Sequence, residues 1–369
     1  MLPAVKGSAE LFKLAVVLGQ LKRALHIEAA ADFKERLFNI AVLDFDGFAF
    51  ENAVVFDDAA PEAVFLHGEF SLPRRRNCAI IQLDTLNCNG WRGICKVMRL
   101  TLCPLVSGSS GNSIYISCGG VRLLVDAGVS AARIEANLRE IGVDIRDIDG
   151  LLITHEHVDH IRGIGVLCRK YGIPVYANEG TWQGIFLKET HIPARCVRTF
   201  FTGEDFYIGG MNINPFPIPH DANEPVGFAF NARGLRCAVA TDIGHINKTW
   251  MNAVSGCQAL VLEANHDIEM VERGPYPKRL QNRILGRNGH LNNVDCAKAL
   301  LELAKHGARA VSLAHLSADN NLPELAYNTV CEALWEAGLT VGEDISVSVA
   351  RRDRVSDMLI VSGDEDNAG

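Results

Sequence analysis

An α/β fold with its functional residues at strand ends is what this sequence predicts, and three observations predict it. Strand-like apolar runs and helix-like stretches alternate from Met98 onward. The 369-residue composition, 48% hydrophobic against 22% charged, belongs to a chain that can bury a sizeable core. Residues of metal-binding type cluster where an apolar run stops, at Gly150-Leu151-Leu152-Ile153 followed by Thr154-His155-Glu156-His157-Val158-Asp159-His160.

The elements follow in order. Arg99 to Val106, Asn112 to Cys118 and Val121 to Val125 read as a strand meander, with Gly119-Gly120 as a hairpin turn. Ser130 to Ile141 reads as a helix with Ser130 as N-cap. Leu151 to Thr154 reads as a buried strand, and a helix is expected to start within Ile161 to Leu167. Met211 to Pro217, Val226 to Asn231 and Arg236 to Thr241 are further strands. Val294 to His306 is a helix that Asn292 or Asn293 can cap, and Leu325 to Ala337 is another. No Pro/Gly/Ser-rich linker or internal repeat divides them. This spacing supports α/β and nothing finer.

The cluster after Ile153 places His155, His157, Asp159 and His160 within six residues. On extended backbone His155 and His157 point the same way, because strand side chains alternate faces. The chain then turns, so Asp159 and His160 can approach from a second side. Two imidazoles for one metal and a carboxylate plus an imidazole for another is the natural division, and such N/O donors suit zinc or manganese.

The stretch matches the HxHxDH signature of the metallo-β-lactamase superfamily, and the chain resembles that family in four further places. Leu123-Leu124-Val125-Asp126-Ala127-Gly128 is similar to its first motif, Pro219-His220 to its third, Ala240-Thr241-Asp242 to its fourth and Val311-Ser312-Leu313-Ala314-His315 to its fifth. The resemblance implies a four-layer αβ/βα sandwich, the metallo-β-lactamase fold, holding two divalent metal ions. One metal would be held by His155, His157 and His220, the other by Asp159, His160 and His315, with Asp242 bridging. Asp126 would orient a ligand imidazole through its free N–H. The sequence is also similar to the WalJ/YycJ-type hydrolases, a group of 5′-to-3′ exonucleases on double-stranded DNA. That similarity lies in Ser107-Gly108-Ser109-Ser110-Gly111-Asn112-Ser113, Leu262-Glu263-Ala264-Asn265-His266-Asp267, Gly274-Pro275-Tyr276-Pro277, Gly289-His290-Leu291-Asn292-Asn293 and Ala314-His315-Leu316-Ser317-Ala318-Asp319-Asn320-Asn321. It runs from about Met98 to near the C-terminus. Ala264 and Asn292 depart from it, since serine is commoner at both.

By this resemblance the chain is a dinuclear metal-dependent hydrolase, a phosphodiesterase or nuclease whose metal-bridging hydroxide attacks phosphorus. Asp159 and Asp242 would serve the metals in catalysis. Departure of the 3′ oxygen needs a proton donor, for which His290 comes first and His266 second; for His266 a structural role in its loop ranks ahead. Ser107, Ser109 and Asn112 of the glycine-containing loop are candidate phosphate contacts. The alternatives are a thioesterase or other small-ester hydrolase of the same superfamily, or an RNA nuclease. Against secreted lactamases stands Asp242 where cysteine is usual. Against flavodiiron proteins stands the intact His157. Against RNA-processing relatives with an inserted domain stands the gap of 72 residues between Asp242 and His315.

The net charge of −8 disfavours non-specific adhesion to nucleic acid, so a DNA-binding surface must be local. Arg279, Arg283 and Arg287 recur every four residues, and on a helix they would form a stripe for phosphates. No apolar run reaches the length of a membrane span. Eleven cysteines without a CxxC pair fit a reducing compartment, and the cytoplasm is expected.

Residues 1–97 stand apart from the hydrolase unit, residues 98–369. They hold none of the metal motifs and only two of the twelve histidines, His26 and His67. Leu11 to Leu25 reads as a short amphipathic helix, Ala41 to Gly47 as a weak DxDG-like pattern and Arg74-Arg75-Arg76 as a solvated run. Because the family-like motifs begin abruptly after Met98, that methionine is the expected native start, with 1–97 as translated upstream sequence. Mass spectrometry of the native protein should find no peptides from residues 1–90; finding them would make the segment an accessory extension.

Overall fold

The computed structural model describes residues 52–55, 64–67, 98–189 and 191–363. The chain divides into two units, Met1–Asn87 and Cys88–Gly369. In the first, strands β1 (Asn52–Val55) and β2 (Val64–His67) pair antiparallel. The readings of residues 11–25, 41–47 and 74–76 lie outside the described residues.

The second unit opens with the expected meander: β3 (Met98–Val106), β4 (Ser113–Cys118) and β5 (Val121–Val125) pair antiparallel. Helix α1 (Ala131–Glu140) follows, and the Ser130 side chain accepts from the Arg133 N–H at its start. The short strands β6 (Gly150–Leu152), β7 (Val175–Ala177) and β8 (Val197–Thr199) then add in parallel. Between them lie helical turns α2 (Val158–Ile161) and α3 (Ile164–Val166) and helix α4 (Glu179–Lys188).

A second sheet collects β9 (Phe206–Ile208), β10 (Met211–Pro217), β11 (Val226–Ala232), β12 (Leu235–Ala240), β13 (Ala259–Glu263), β14 (Ala310–Ala314) and β15 (Ser346–Val349). Its helices are α5 (Lys248–Val254), α6 (Ile268–Arg273), α7 (Lys278–Ile284), α8 (Asn293–Lys305) and α9 (Pro323–Glu336). Asn292 caps α8 by accepting from the Asp295 N–H at 2.9 Å. The last strand, β16 (Leu359–Gly363), returns to the first sheet beside β3.

Alternation along the strands divides the core into layers. Ala259 and Val261 point between the two sheets, while Leu260 and Leu262 point outward onto Trp250, Leu300 and Val330 of the helices. On the other sheet Leu123 and Val125 face inward, and Leu124 packs outward with Ile134, Leu138 and Ile185. The order is helix, sheet, sheet, helix, the expected four-layer sandwich. Register is strongly fixed, because both faces of these strands are buried. A one-residue slip would move each leucine to the wrong layer, at about 1.5–3 kcal/mol for each large side chain misplaced. Among the described residues, no helix is long and apolar enough to cross a membrane.

One local expectation needs correction. The strand before the metal motif ends at Leu152 rather than Thr154; a helical turn precedes the expected one, at Val158, and α3 starts at Ile164, within the expected 161–167. The reason is Asp126, whose carboxylate takes the Thr154 N–H at 2.9 Å and draws the chain out of the sheet.

Candidate metal centre

Every donor at the centre leaves the C-terminal end of a strand. Asp126 follows β5, residues 154–160 follow β6, His220 follows the end of β10, Asp242 follows β12, Glu263 ends β13 and His315 follows β14. Strand ends of open α/β sheets are where backbone leaves the ladder and side chains can converge. Asp126, Asp242 and His315 take left-handed backbone at φ 63°, 59° and 56°, a conformation side-chain-bearing residues seldom adopt. Three such outliers at one centre are local strain that the surrounding sheets sustain. Gly128 fits the same pressure. A Cβ there would lie 1.6 Å from the Asp159 carbonyl oxygen, so only glycine lets the loop after β5 lie against the HxHxDH segment.

The hydrogen bonds decide which ring nitrogen each imidazole presents. The Thr154 hydroxyl donates to Asp126, 2.9 Å from Oδ2, so it accepts from His155 Nδ1 at 3.0 Å. His160 Nδ1 donates to Asp126 Oδ2 at 2.8 Å, His220 Nδ1 to the Gly289 carbonyl at 3.1 Å, and His315 Nδ1 to Glu263 Oε1 at 2.8 Å. In its neutral form each of these four rings is left with an Nε2 lone pair. The lone pairs converge. His157 Nδ1 stands 2.9 Å from His155 Nε2 and 3.3 Å from His220 Nε2, so that one cation could meet all three nitrogens. On the other side Asp159 Oδ2 lies 3.6 Å from His160 Nε2 and 3.7 Å from His315 Nε2. Asp242 spans the two groups, with Oδ1 3.7 Å from His220 Nε2 and Oδ2 3.4 Å from His160 Nε2.

Asp242 Oδ2 and His315 Nε2 are buried without any hydrogen-bond partner, an expensive condition that a metal ion would relieve. Donor type, tautomer and these orphaned atoms therefore fit a pair of divalent cations. His155, His157 and His220 could hold one, and Asp159, His160 and His315 the other, with Asp242 between them. Burial and the neighbouring imidazoles push His155 well below its usual range, so it offers its lone pair without competition from a proton. Burial also pulls His160 down, but Asp126 and Asp242 more than reverse this, to about 9. A cation arriving there displaces a proton.

Several residues differ from their sequence reading. Ser107 is buried, and its hydroxyl takes the His315 N–H at 2.9 Å; Asn112 is buried with Nδ2 3.2 Å from His160 Nε2. Both brace candidate ligands, and only Ser109 of the three candidate phosphate contacts is exposed. The arginine stripe breaks. Helix α7 ends at Ile284, where the His290 N–H folds back to the Ile284 carbonyl at 3.1 Å, and Arg287 lies past it in a loop beside His245. Arg279 and Arg283 stay on the helix and exposed. Arg283 makes a two-pronged pair with Asp221, at 2.5 and 3.0 Å, and Asp221 stands 3.5 Å from His220 Nε2. That pair puts Arg283 at the mouth of the centre. His290 stands between His220 and His315, with ring centroids 5.1 and 5.3 Å away. His266 is 1% exposed and lies outside the donor groups, with neither ring nitrogen hydrogen-bonded.

Glu263 was missed by sequence reasoning. Fully buried, it receives His290 Nδ1 at 2.9 Å, His315 Nδ1 and the Leu291 and Ile243 amides. An acidic residue closing the apolar run Ala259-Leu260-Val261-Leu262 was the available signal. Replacing it by glutamine should lower metal affinity or activity about 10–100-fold with the fold intact. Metal analysis and circular dichroism of Glu263→Gln check this, and unchanged metal content with unchanged turnover would contradict it.

Comparison with known proteins identifies the family. Residues 121–316 match the family described as the beta-lactamase superfamily domain. The chain is 40% identical over 250 residues to exodeoxyribonuclease YycJ of Bacillus anthracis, covering 68% of this chain and 95% of that protein. It is 40% identical over 247 residues to exodeoxyribonuclease WalJ of Streptococcus pneumoniae, covering 66% and 91%. Among solved structures, the metallo-beta-lactamase fold protein YhfI of Bacillus subtilis aligns with a TM-score of 0.52 at 16% identity, covering 72% of this chain and 100% of that one. Unliganded yeast PDE1 aligns at 0.53 with 12% identity, covering 70% and 99%. At such identities these two show the fold alone.

Proposed function

The chain belongs to the metallo-β-lactamase superfamily, in its YycJ/WalJ group, and from that premise we propose that this metal-dependent hydrolase is a 5′-to-3′ exonuclease on double-stranded DNA. The observation that carries the reading is the convergence of His155, His157 and His220 beside Asp159, His160 and His315, with Asp242 reaching both groups. The relatives named exodeoxyribonucleases support a nucleic acid substrate, and DNA is our choice among nucleic acids. Zinc or manganese suits these donors. We assign the activity to residues 98–369. All eight cysteines of the described residues are free, which fits the cytoplasm.

When bound, two divalent metals neutralise charge on a phosphodiester and make water a nucleophile near neutral pH. The protein's own side chains do the rest. Asp126 and Glu263 fix His160 and His315 by their Nδ1 atoms, so neither ring can turn its lone pair away. Asp242 keeps one oxygen towards each donor group. Hydrolysis forms a bond from water oxygen to phosphorus, breaks the bond from phosphorus to the 3′ oxygen and must return a proton to that oxygen. His290 is the donor: Glu263 holds its Nδ1, and Nε2 is left to pass the proton. Its ring is 17% exposed, enough to meet a substrate. Arg283 and Arg279 supply positive charge for the phosphate backbone, and Arg287 extends it from its loop. Ser109 adds an exposed hydroxyl.

Digestion of end-labelled duplex DNA by protein loaded with zinc or manganese tests the reading. Progressive loss from 5′ ends is expected. His157→Ala or Asp159→Ala should lower turnover by more than about 100-fold while leaving the fold largely intact. Full activity in either variant with unchanged metal content would refute the ligand assignment.

A further inference from the structure

Ser107 and Asn112 bracket a tight loop that borders the second donor group. At one end the Ser107 hydroxyl takes the His315 N–H at 2.9 Å; at the other, Asn112 Nδ2 stands 3.2 Å from His160 Nε2. The loop is held shut by the Gly111 N–H donating to the Gly108 carbonyl and the Gly108 N–H donating to Asn112 Oδ1, both at 3.0 Å. Its tip, Ser109-Ser110, is exposed. Among the described residues, the amides and hydroxyls of these two serines have no hydrogen-bond partner. Ser110 is two residues from Asn112, at most about 7 Å of backbone. That is close to the spacing of neighbouring phosphates along one strand.

Arg352 lies against the same loop. A Cβ on Gly108 would come 3.2 Å from Arg352 Nε, so the missing side chain makes room for the guanidinium. Arg352 Nη2 donates to the Leu316 carbonyl at 3.1 Å, which anchors the arginine beside His315. Among the described residues it has no carboxylate partner, in contrast to Arg283 with Asp221. A guanidinium, two free amides and two free hydroxyls, with no carboxylate paired to them among the described residues, make up a phosphate-binding set.

We propose that Ser109, Ser110 and Arg352 bind the phosphate monoester at the 5′ end of the DNA strand, one nucleotide from the bond hydrolysed. The proposal rests on the exonuclease reading and gives it a physical cause. Arg283 stands on the His220 side of the centre, whereas this subsite stands on the His315 side. An exonuclease leaves only one nucleotide on one side of the scissile phosphate, so a grip on that side meets a chain end. A terminal phosphate carries about −1.5 to −2 charge at neutral pH against −1 for an internal diester, so the cationic subsite favours ends.

The test compares duplexes that differ only in a 5′-phosphate or a 5′-hydroxyl, using metal-loaded full-length enzyme, Arg352→Ala and Arg352→Gln. Glutamine retains a donor for the Leu316 carbonyl without the charge. The wild type should favour the 5′-phosphate by at least tenfold in kcat/KM, and both variants should bring that ratio close to one. A variant that is merely misfolded lowers both rates together and keeps the ratio. Equal digestion of both ends by the wild type, or an unchanged ratio in an Arg352→Gln that keeps the wild-type rate on bis(p-nitrophenyl) phosphate, would overturn the subsite while leaving the exonuclease reading standing. A metal-loaded wild type that hydrolyses bis(p-nitrophenyl) phosphate but degrades neither duplex would overturn both.

Discussion

Burying this many imidazoles and carboxylates between apolar sheets is the constraint on which the rest of the structure depends. His155, His160, His220, Asp242 and His315 are almost fully buried, and their free nitrogens and oxygens face one another. Hydrogen bonds leave Asp242 Oδ2 and His315 Nε2 without a partner. Desolvation at such a point costs several kcal/mol per ion unless opposite charge is supplied. Divalent cations would supply it, and the surrounding architecture keeps the donor atoms aimed at the two places where they could sit.

The sandwich provides the aim. Strand ends from both sheets meet at one place, and the bond from the Val226 N–H to the Thr154 carbonyl, 3.0 Å, ties the HxHxDH segment to the second sheet. Three residues accept left-handed backbone to turn their side chains inward. Asp126 and Glu263 then lock the rings, each serving one sheet. The packed layers of leucine, valine and isoleucine on either side make that strained geometry sustainable.

Much of this was legible in the sequence for a physical reason. The donors sit next to strong local signals: an apolar run, then His155 to His160; another, then Asp242; another, then His315. Helix α1 was readable from Ser130 and helix α8 from Asn292, because caps are local chemistry. What could not be read depends on contacts distant in sequence. Glu263 looks like a strand terminus until His290 and His315 arrive beside it. Strand β16 joins β3 across more than 250 residues of chain, beyond any local pattern. The arginine periodicity is real in the sequence, yet the chain folds back after Ile284 and the helix ends before Arg287. Arg352 carries no motif at all; only its contact with Gly108 and Leu316 gives it a place.

The central claim is that two cations occupy this centre with Asp242 between them. Anomalous diffraction from crystals of metal-loaded protein, recorded at the zinc and manganese edges, tests it most directly. Two peaks per chain are expected, one enclosed by His155, His157 and His220 and the other by Asp159, His160 and His315. A single peak, or a metal held by Glu263 and His290 instead, would contradict it.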